Sequence, residues 1–189
     1  EMFGDDSLDK GLAIARDLGY EGIEFAPFTF SPNASPFELA AVPLADRESV
    51  ARRVRDLGLE TVGLHWLLAK TRGLYLTSPE KDVRERTADY LGQLAEFCRQ
   101  LGGRVMVLGS PQQRNLLPGV NHDQAMEYAA DVLRQAMSRC RDEGVTIAVE
   151  PLGPAEGDFL NTAALGVQLV NLVDSPNCKL HLDVKAMSS

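Results

Sequence analysis

The sequence predicts an α/β fold built from repeated strand–helix units, and two observations support this. Short apolar segments alternate with longer amphipathic segments along the 189 residues, which is the pattern of βα units around a parallel sheet. The candidate strands begin at residues 22, 61, 104, 145 and 179, so successive starts are 39, 43, 41 and 34 residues apart. This regular spacing favours a (β/α)8 barrel over an open doubly wound sheet, because the open sheet also requires a reversal of strand order.

The chain is shorter than the barrel that its pattern predicts. A (β/α)8 TIM barrel usually has ~250 residues, whereas the candidate strands number five, at 22–25, 61–67, 104–108, 145–150 and 179–185. We therefore expect residues 1–189 to form a single TIM-barrel domain, truncated at both ends and lacking about three strands, the first and the last two. Its open edges predict aggregation, pairing with a second copy as a homo-oligomer, or origin from a longer chain.

The first three helices have recognisable start signals. The first begins near Ser7 and ends before Gly19, and the second follows Asp46. The third opens with Ser78, a residue type that commonly caps a helix N-terminus, and with Pro79, which suits the first helical position. Apolar residues recur at helical spacing in each segment, so each helix is expected to bury one face.

The last two helices are also defined by their ends. Asn121 and Gln124 stand three residues apart and predict a variant of the capping box at the start of the fourth helix, which ends before Gly144. The fifth helix begins after Asn161 and ends at the turn-forming sequence DSPN, residues 174–177.

Composition and charge argue against several function classes. The formal net charge is −8 at pH 7, so neither a nucleic-acid backbone nor an anionic membrane surface is expected as a partner, because both need a basic footprint. No apolar stretch approaches the ~20 residues of a membrane span, and no glycine-rich nucleotide-binding motif follows a strand. Cys98, Cys140 and Cys178 form no CxxC pair, which indicates buried, reduced thiols in a cytoplasmic protein.

Polar residues end the strand faces that should point into the barrel. Side chains alternate along a strand, so Leu180 and Leu182 share the face packed under helices, while His181 and Asp183 share the other. The same rule gives each strand a polar last inward residue: Glu24, His65, Ser110, Glu150 and Asp183. The carboxyl ends of barrel strands meet at one rim, where active sites of this fold are built.

This convergence predicts a divalent metal ion. Isolated charges in a barrel mouth are costly, and no arginine at the strand ends matches the two carboxylates and the histidine. Oxygen and imidazole ligands suit Mn²⁺, Mg²⁺, Co²⁺ or Zn²⁺. Two other interpretations stay open: Glu24 as a rim residue paired with a lysine or arginine, and His65 as a hydrogen-bonded core histidine. His181 lies deeper on its strand and is expected to be structural.

Four segments carry a resemblance to a known family. "GYEGIEF", "GLETVGLHW", "VTIAVEPL…E…FLNT" and "KLHLDVKAM" resemble the xylose-isomerase-like TIM barrels, the sugar phosphate isomerase/epimerase group. This group includes ketose 3-epimerases, hydroxypyruvate isomerase, inosose dehydratase and the endonuclease IV relatives. The resemblance covers the whole chain in order, and it is most specific between Glu150 and Asp183.

The resemblance implies roles for individual residues. A divalent metal would be held by Glu150 and Asp183, together with a His and a Glu from the next two units, which this sequence does not contain. Glu150 would also act as one acid/base of a pair, and Glu156 would hydrogen-bond the substrate's terminal hydroxyls. The expected substrate contacts are Glu156, His65, Lys185, Glu24 and Ser110.

Two departures from the family pattern bear on the substrate. The histidine usual three residues after the strand-six aspartate is replaced by Ala186, and Lys185 stands one residue earlier as a cation suited to a carboxylate or phosphate. The loop "GSPQQR" at 109–114 brings Ser110 and Arg114 near the same rim, either as a sugar or anion contact or simply as a polar loop. It lacks the histidine of the endonuclease IV relatives, so their trinuclear zinc site is not expected.

The resemblance implies a metal-dependent isomerase or epimerase of a sugar or sugar phosphate. The reaction would be proton transfer next to a carbonyl through an enediolate, with Glu150 as the catalytic residue. The alternatives are an inosose-type dehydratase, a lyase on the same metal site, and a non-catalytic carbohydrate-binding barrel. Residues 1–189 alone are expected to be inactive, because they lack two of the implied metal ligands.

Overall fold

The computed structural model describes residues 7–30 and 38–187. In these residues five strands lie side by side in chain order, and every neighbouring pair is parallel. An order without reversal is what the barrel prediction requires. The strands are β1 (Gly22–Phe25), β2 (Glu60–Leu64), β3 (Val105–Leu108), β4 (Thr146–Val149) and β5 (Cys178–Leu180).

Helices cover the apolar face of the sheet. They are α1 (Leu8–Asp17), α2 (Leu44–Asp56), α3 (Lys81–Gln100), α4 (His122–Asp142), α5 (Ala163–Val173) and α6 (Val184–Met187), with 3-10 turns at Pro27–Phe30 and Leu39–Ala41. Leu64, Ile147 and Val149, predicted to face outward, are completely buried in the core, whereas Leu182 lies beyond the end of β5 and is 51% exposed. No helix in the described part of the chain is long and apolar enough to cross a membrane.

The predicted capping box of the fourth helix is confirmed. Asn121 Oδ1 accepts the Gln124 N–H at 2.9 Å, and Gln124 Oε1 accepts the Asn121 N–H at 3.0 Å. Each bond satisfies a donor that has no partner inside the helix.

Replacing Asn121 by alanine is therefore expected to lower the free energy of unfolding by about 1 kcal/mol. Urea denaturation of the natural full-length protein measures this loss. Gln135→Ala is the matched control, because it removes only an exposed hydrogen bond to Asp131 within the same helix, and we expect it to change stability by less than about 0.5 kcal/mol. Equal losses for the two variants would contradict a stabilising cap.

The predicted start of the third helix is wrong by two residues. The helix begins at Lys81 with Glu80 as its N-cap, and Ser78 Oγ accepts the Glu80 N–H at 3.2 Å in the preceding turn. Arg84 Nη1 donates to the carbonyl oxygens of Ser78 and Pro79, both at 2.9 Å. These carbonyls would have to accept helical N–H groups if the helix began at Pro79.

The second strand ends at Leu64, three residues earlier than predicted. Trp66 has a φ of 53°, in the left-handed region, and this conformation cannot continue a strand. The His65 N–H still donates to the Phe25 carbonyl at 2.9 Å. His65 is therefore the last residue of this segment bound to the sheet.

The fifth strand is the largest departure from the prediction of 179–185. It spans only Cys178–Leu180, and pairing ends with the His181 N–H donating to the Val149 carbonyl at 2.8 Å. Asp183 Oδ1 then accepts the N–H groups of Lys185 and Ala186, at 2.6 and 3.2 Å, as a residue that caps a helix does. This capping turns the chain into α6, so Asp183 and Lys185 do not belong to the strand as predicted.

Candidate functional site

Glu150 projects from the carboxyl end of β4. Its N–H donates to the Leu108 carbonyl at 3.2 Å, which fixes its main chain against the end of β3. Its side chain is only 13% exposed and lies directly over Gly109. A methyl group on residue 109 would overlap Glu150 Oε2 and lie 3.0 Å from its Cδ, so the glycine provides the space that the carboxylate occupies.

His181 and Asp183 meet Glu150 at this end of the sheet. One ligand atom of each of the three side chains lies within 4.8 Å of the other two, and His181 Nε2 is 3.9 Å from Glu150 Oε1. We call these three residues the candidate metal group. The structure thus brings Glu150 and Asp183 together, as predicted. It adds His181, which we expected to be structural.

The charges of the group favour a bound cation. Burial raises the pKa of the Glu150 carboxyl; the nearby His181 opposes this shift, and Asp183 adds to it. A cation between the two carboxylates would offset both the burial and their mutual repulsion. Two carboxylates and an imidazole are donors suited to Mn²⁺, Co²⁺ or Zn²⁺. Asp183 uses Oδ1 to cap α6, which orients the carboxyl group and leaves Oδ2 for a ligand. The donor set therefore fits a divalent ion.

Glu156 reaches the site from the loop that follows β4. Its Oε1 contacts Lys185 Nζ of α6, and this ion pair raises the pKa of the lysine. Asn161 stabilises the loop from within, since its Nδ2 donates to the carbonyls of Leu152 and Gly157 at 3.0 and 2.9 Å. Glu156 and Lys185 thus neutralise each other beside the candidate metal group.

The other predicted substrate contacts lie on neighbouring strand ends. Ser110 is 1% exposed, and its Oγ accepts the Leu68 N–H at 3.1 Å, so it orders the turn after β2. His65 is half-buried, with its ring centre 6.4 Å from that of Trp66. Glu24 is exposed on β1. Among the described residues none of the three belongs to the candidate metal group, and their contact with a substrate stays a prediction.

Arg114, predicted near the rim either as a sugar or anion contact or as part of a polar loop, is buried and faces the main chain of Glu150. It lies in the loop after β3 and is 2% exposed. Its Nη1 donates to the carbonyl oxygens of Glu150 and Leu108, at 2.7 and 3.3 Å. Burial lowers the pKa of its guanidinium to about 10, and Glu150 and Glu156 oppose the shift. The sequence showed no arginine at the strand ends to match the carboxylates. The structure places one next to Glu150, but it comes from a loop and binds the main chain of Glu150, not its carboxylate.

Comparison with known proteins identifies relatives of this fold and site. The sequence model of a family described as "Xylose isomerase-like TIM barrel" matches residues 12–189. An L-ribulose 3-epimerase of Mesorhizobium japonicum is 29% identical over 182 residues, which are 96% of this chain and 56% of that protein. A probable ketose 3-epimerase of Synechocystis is 28% identical over 182 residues, with 92% of this chain and 56% of that protein covered.

Solved structures show the same architecture. A D-psicose 3-epimerase from Clostridium cellulolyticum, solved with D-tagatose, superposes with a TM-score of 0.80 at 18% identity, over 97% of this chain and 60% of the other. An L-ribulose 3-epimerase structure gives a TM-score of 0.76 at 28% identity, over 96% and 56% of the two chains. The barrel prediction is confirmed by these matches. The chain spans 56% of the length of the two curated relatives.

Proposed function

The chain belongs to the xylose isomerase-like TIM barrel family, and from this we propose that the protein is a metal-dependent isomerase or epimerase acting on a ketose sugar. The observation that carries the proposal is the candidate metal group, which gathers Glu150, His181 and Asp183 at the carboxyl ends of parallel strands. Active sites of TIM barrels are built at this end. The curated relatives, an L-ribulose 3-epimerase and a probable ketose 3-epimerase, support the reaction class.

Each residue has a distinct task in this proposal. A divalent ion held by the candidate metal group would supply Lewis-acid polarisation of the substrate carbonyl. Glu150 exchanges the proton on the carbon next to that carbonyl, since a carboxylate can both accept a proton and return it. Glu156 orients the sugar through its hydroxyls. His65, Glu24, Ser110 and Lys185 are proposed to line the rest of the sugar site.

The ion pair between Glu156 and Lys185 favours a neutral sugar over a sugar phosphate. Lys185 is the cation that a substrate anion would use, and its ammonium already contacts the Glu156 carboxylate. A phosphate would have to displace a carboxylate from Lys185 and would meet the negative charge of Glu156. We therefore propose an unphosphorylated ketose. The cytoplasmic location stays a prediction from the sequence.

The reaction itself tests the proposal. The natural full-length protein, supplied with Mn²⁺, is incubated with a panel of pentuloses and hexuloses in D₂O, and the products are analysed by NMR. We expect epimerised or isomerised sugar that carries solvent deuterium at the reacting carbon, with loss of activity in EDTA and recovery on adding metal. Loss of water from the sugar would indicate a dehydratase. Binding without any exchange would indicate a non-catalytic barrel.

Replacing Glu156 by glutamine is expected to raise KM for the preferred ketose about tenfold and to change kcat little. The glutamine keeps the shape of the side chain but loses the charge that strengthens a hydrogen bond to the sugar. Steady-state kinetics of the natural full-length protein measure both constants. Glu127→Gln, an exposed position on α4, is the control for loss of one negative charge. A drop in kcat with unchanged KM would give Glu156 a chemical role instead.

A further inference from the structure

We propose that Arg114 is a positioning residue of the candidate site, which holds the Glu150 main chain in place at the ends of β3 and β4. This inference rests on the proposed function, because its effect is expressed through the metal ion that Glu150 would hold. Arg114 does not contact substrate, since its side chain is buried in the interior. It acts through the residues that it binds.

The first argument is the place where the guanidinium binds. Leu108 is the last residue of β3, and Glu150 directly follows the last residue of β4. Arg114 Nη1 donates to the carbonyl oxygens of both, at 3.3 and 2.7 Å, and so bridges the two strand ends. The Glu150 N–H donates to Leu108. Both main-chain polar groups of Glu150 are therefore bonded, which limits the directions in which its side chain can point.

The second argument is the charge of Arg114. Its Nη2 is buried and has no hydrogen-bond partner among the described residues, so no carboxylate is paired with it directly. A buried cation without a partner is costly. Glu150 and Glu156 are the acids whose charges act on it. The guanidinium is thus held behind Glu150, whose carboxylate is the largest opposing charge that acts on it.

The third argument is the anchoring of the loop that carries Arg114. Thr77 Oγ1 donates to the carbonyl oxygens of Arg114 and Asn115, at 3.3 and 2.8 Å. Asn115 Oδ1 accepts the Asp158 N–H at 3.2 Å, and Asp158 Oδ1 accepts the Leu116 N–H at 2.7 Å. The loop after β3 is thereby bonded to the loop that contains Glu156. The loop that carries Arg114 is thus fixed by Thr77, and Asn115 and Asp158 bond it to the Glu156 loop.

Three variants of the natural full-length protein test this role through Mn²⁺ affinity, measured by calorimetry and by the free-ion EPR signal. Arg114→Met is expected to weaken Mn²⁺ binding about tenfold, the effect of losing a residue that orients a metal ligand. Arg114→Lys should bind Mn²⁺ about threefold more weakly than the wild type, because its ammonium can donate to Glu150 but cannot bridge both carbonyls as the guanidinium does. In both variants kcat should fall while KM for the sugar changes less than twofold.

Thr77→Val is the matched control for a purely structural effect. It has nearly the same volume and removes the bonds that anchor the Arg114 loop, but it leaves the guanidinium on Glu150. We expect a lower melting temperature and a weakening of Mn²⁺ binding clearly smaller than in Arg114→Met, because the guanidinium stays bonded to Glu150. If Arg114→Met does not fold, Arg114→Lys decides the question alone.

The outcomes separate this inference from the proposed function. Wild-type Mn²⁺ affinity in the Arg114 variants would overturn the positioning role alone. A Thr77→Val variant that weakens Mn²⁺ binding as much as Arg114→Met would do the same. A wild-type protein that binds none of the divalent ions would overturn the proposed function and this inference with it.

Discussion

Replacing Gly109 by alanine is expected to lower kcat/KM about 100-fold while the protein stays folded. The new methyl group would overlap Glu150 Oε2 and lie 3.0 Å from its Cδ, so the carboxylate must turn away. The colliding atoms are the far end of a flexible side chain, so the rearrangement should cost only about 1 kcal/mol of stability, as a strained rotamer does. A carboxylate displaced by about 1 Å is enough to lose this much activity.

A double-mutant cycle with Glu150→Ala tests this explanation. The free energy of unfolding of the natural full-length protein is measured for both single variants and for the pair. With the carboxylate removed, alanine at position 109 meets only the Cβ of residue 150, at the ordinary distance of 3.6 Å, and its effect on stability should largely disappear. A cost that persists in the Glu150→Ala background would contradict the collision. Wild-type activity of Gly109→Ala would show that Glu150 does not need its present orientation.

The sequence predicted the strands better than the places where they end. The prediction for β1, residues 22–25, agrees with the observed Gly22–Phe25, because alternating apolar residues between turn signals are a local property. The errors occur where one side chain takes over backbone hydrogen bonds. Arg84 binds the carbonyls of Ser78 and Pro79 and so delays α3, and Asp183 caps α6 and so shortens β5. Such contacts depend on rotamers that residue patterns do not specify.

In the candidate site, too, residues on a local strand pattern were predictable and contacts between distant segments were not. Alternation along β4 and β5 predicted that Glu150 and Asp183 would lie at one rim, and the structure brings them together. The signal for His181 was also present, since it stands two residues before Asp183 on the same predicted face. For Arg114 the sequence predicted a place near the rim but not the contact with the Glu150 carbonyl. This contact spans 36 residues and depends on the path of a loop.

Replacing Gly63 by alanine is expected to have the largest effect on stability, a loss of more than about 4 kcal/mol. Gly63 lies opposite Val105 in the pairing of β2 with β3. A methyl group here would overlap the Val105 carbonyl oxygen and lie 2.7 Å from the carbonyl carbon. These are backbone atoms held in the middle of the sheet, so they cannot move aside as the Glu150 side chain can. The two strands would have to separate, and with them the rim that carries the site.

Urea denaturation and the soluble yield of the natural full-length protein measure this effect. Gly58→Ala is the matched control, because the residue lies two positions before β2 and has free space around the position of the new methyl group. Its φ of 74° makes alanine unfavourable there by about 1 kcal/mol, without any collision. The larger loss for Gly63→Ala therefore isolates the contact with Val105 from the general cost of removing a glycine. Similar unfolding midpoints for the two variants would mean that β2 and β3 pair less closely than the structure shows, and the convergence of strand ends at Glu150 would lose its support.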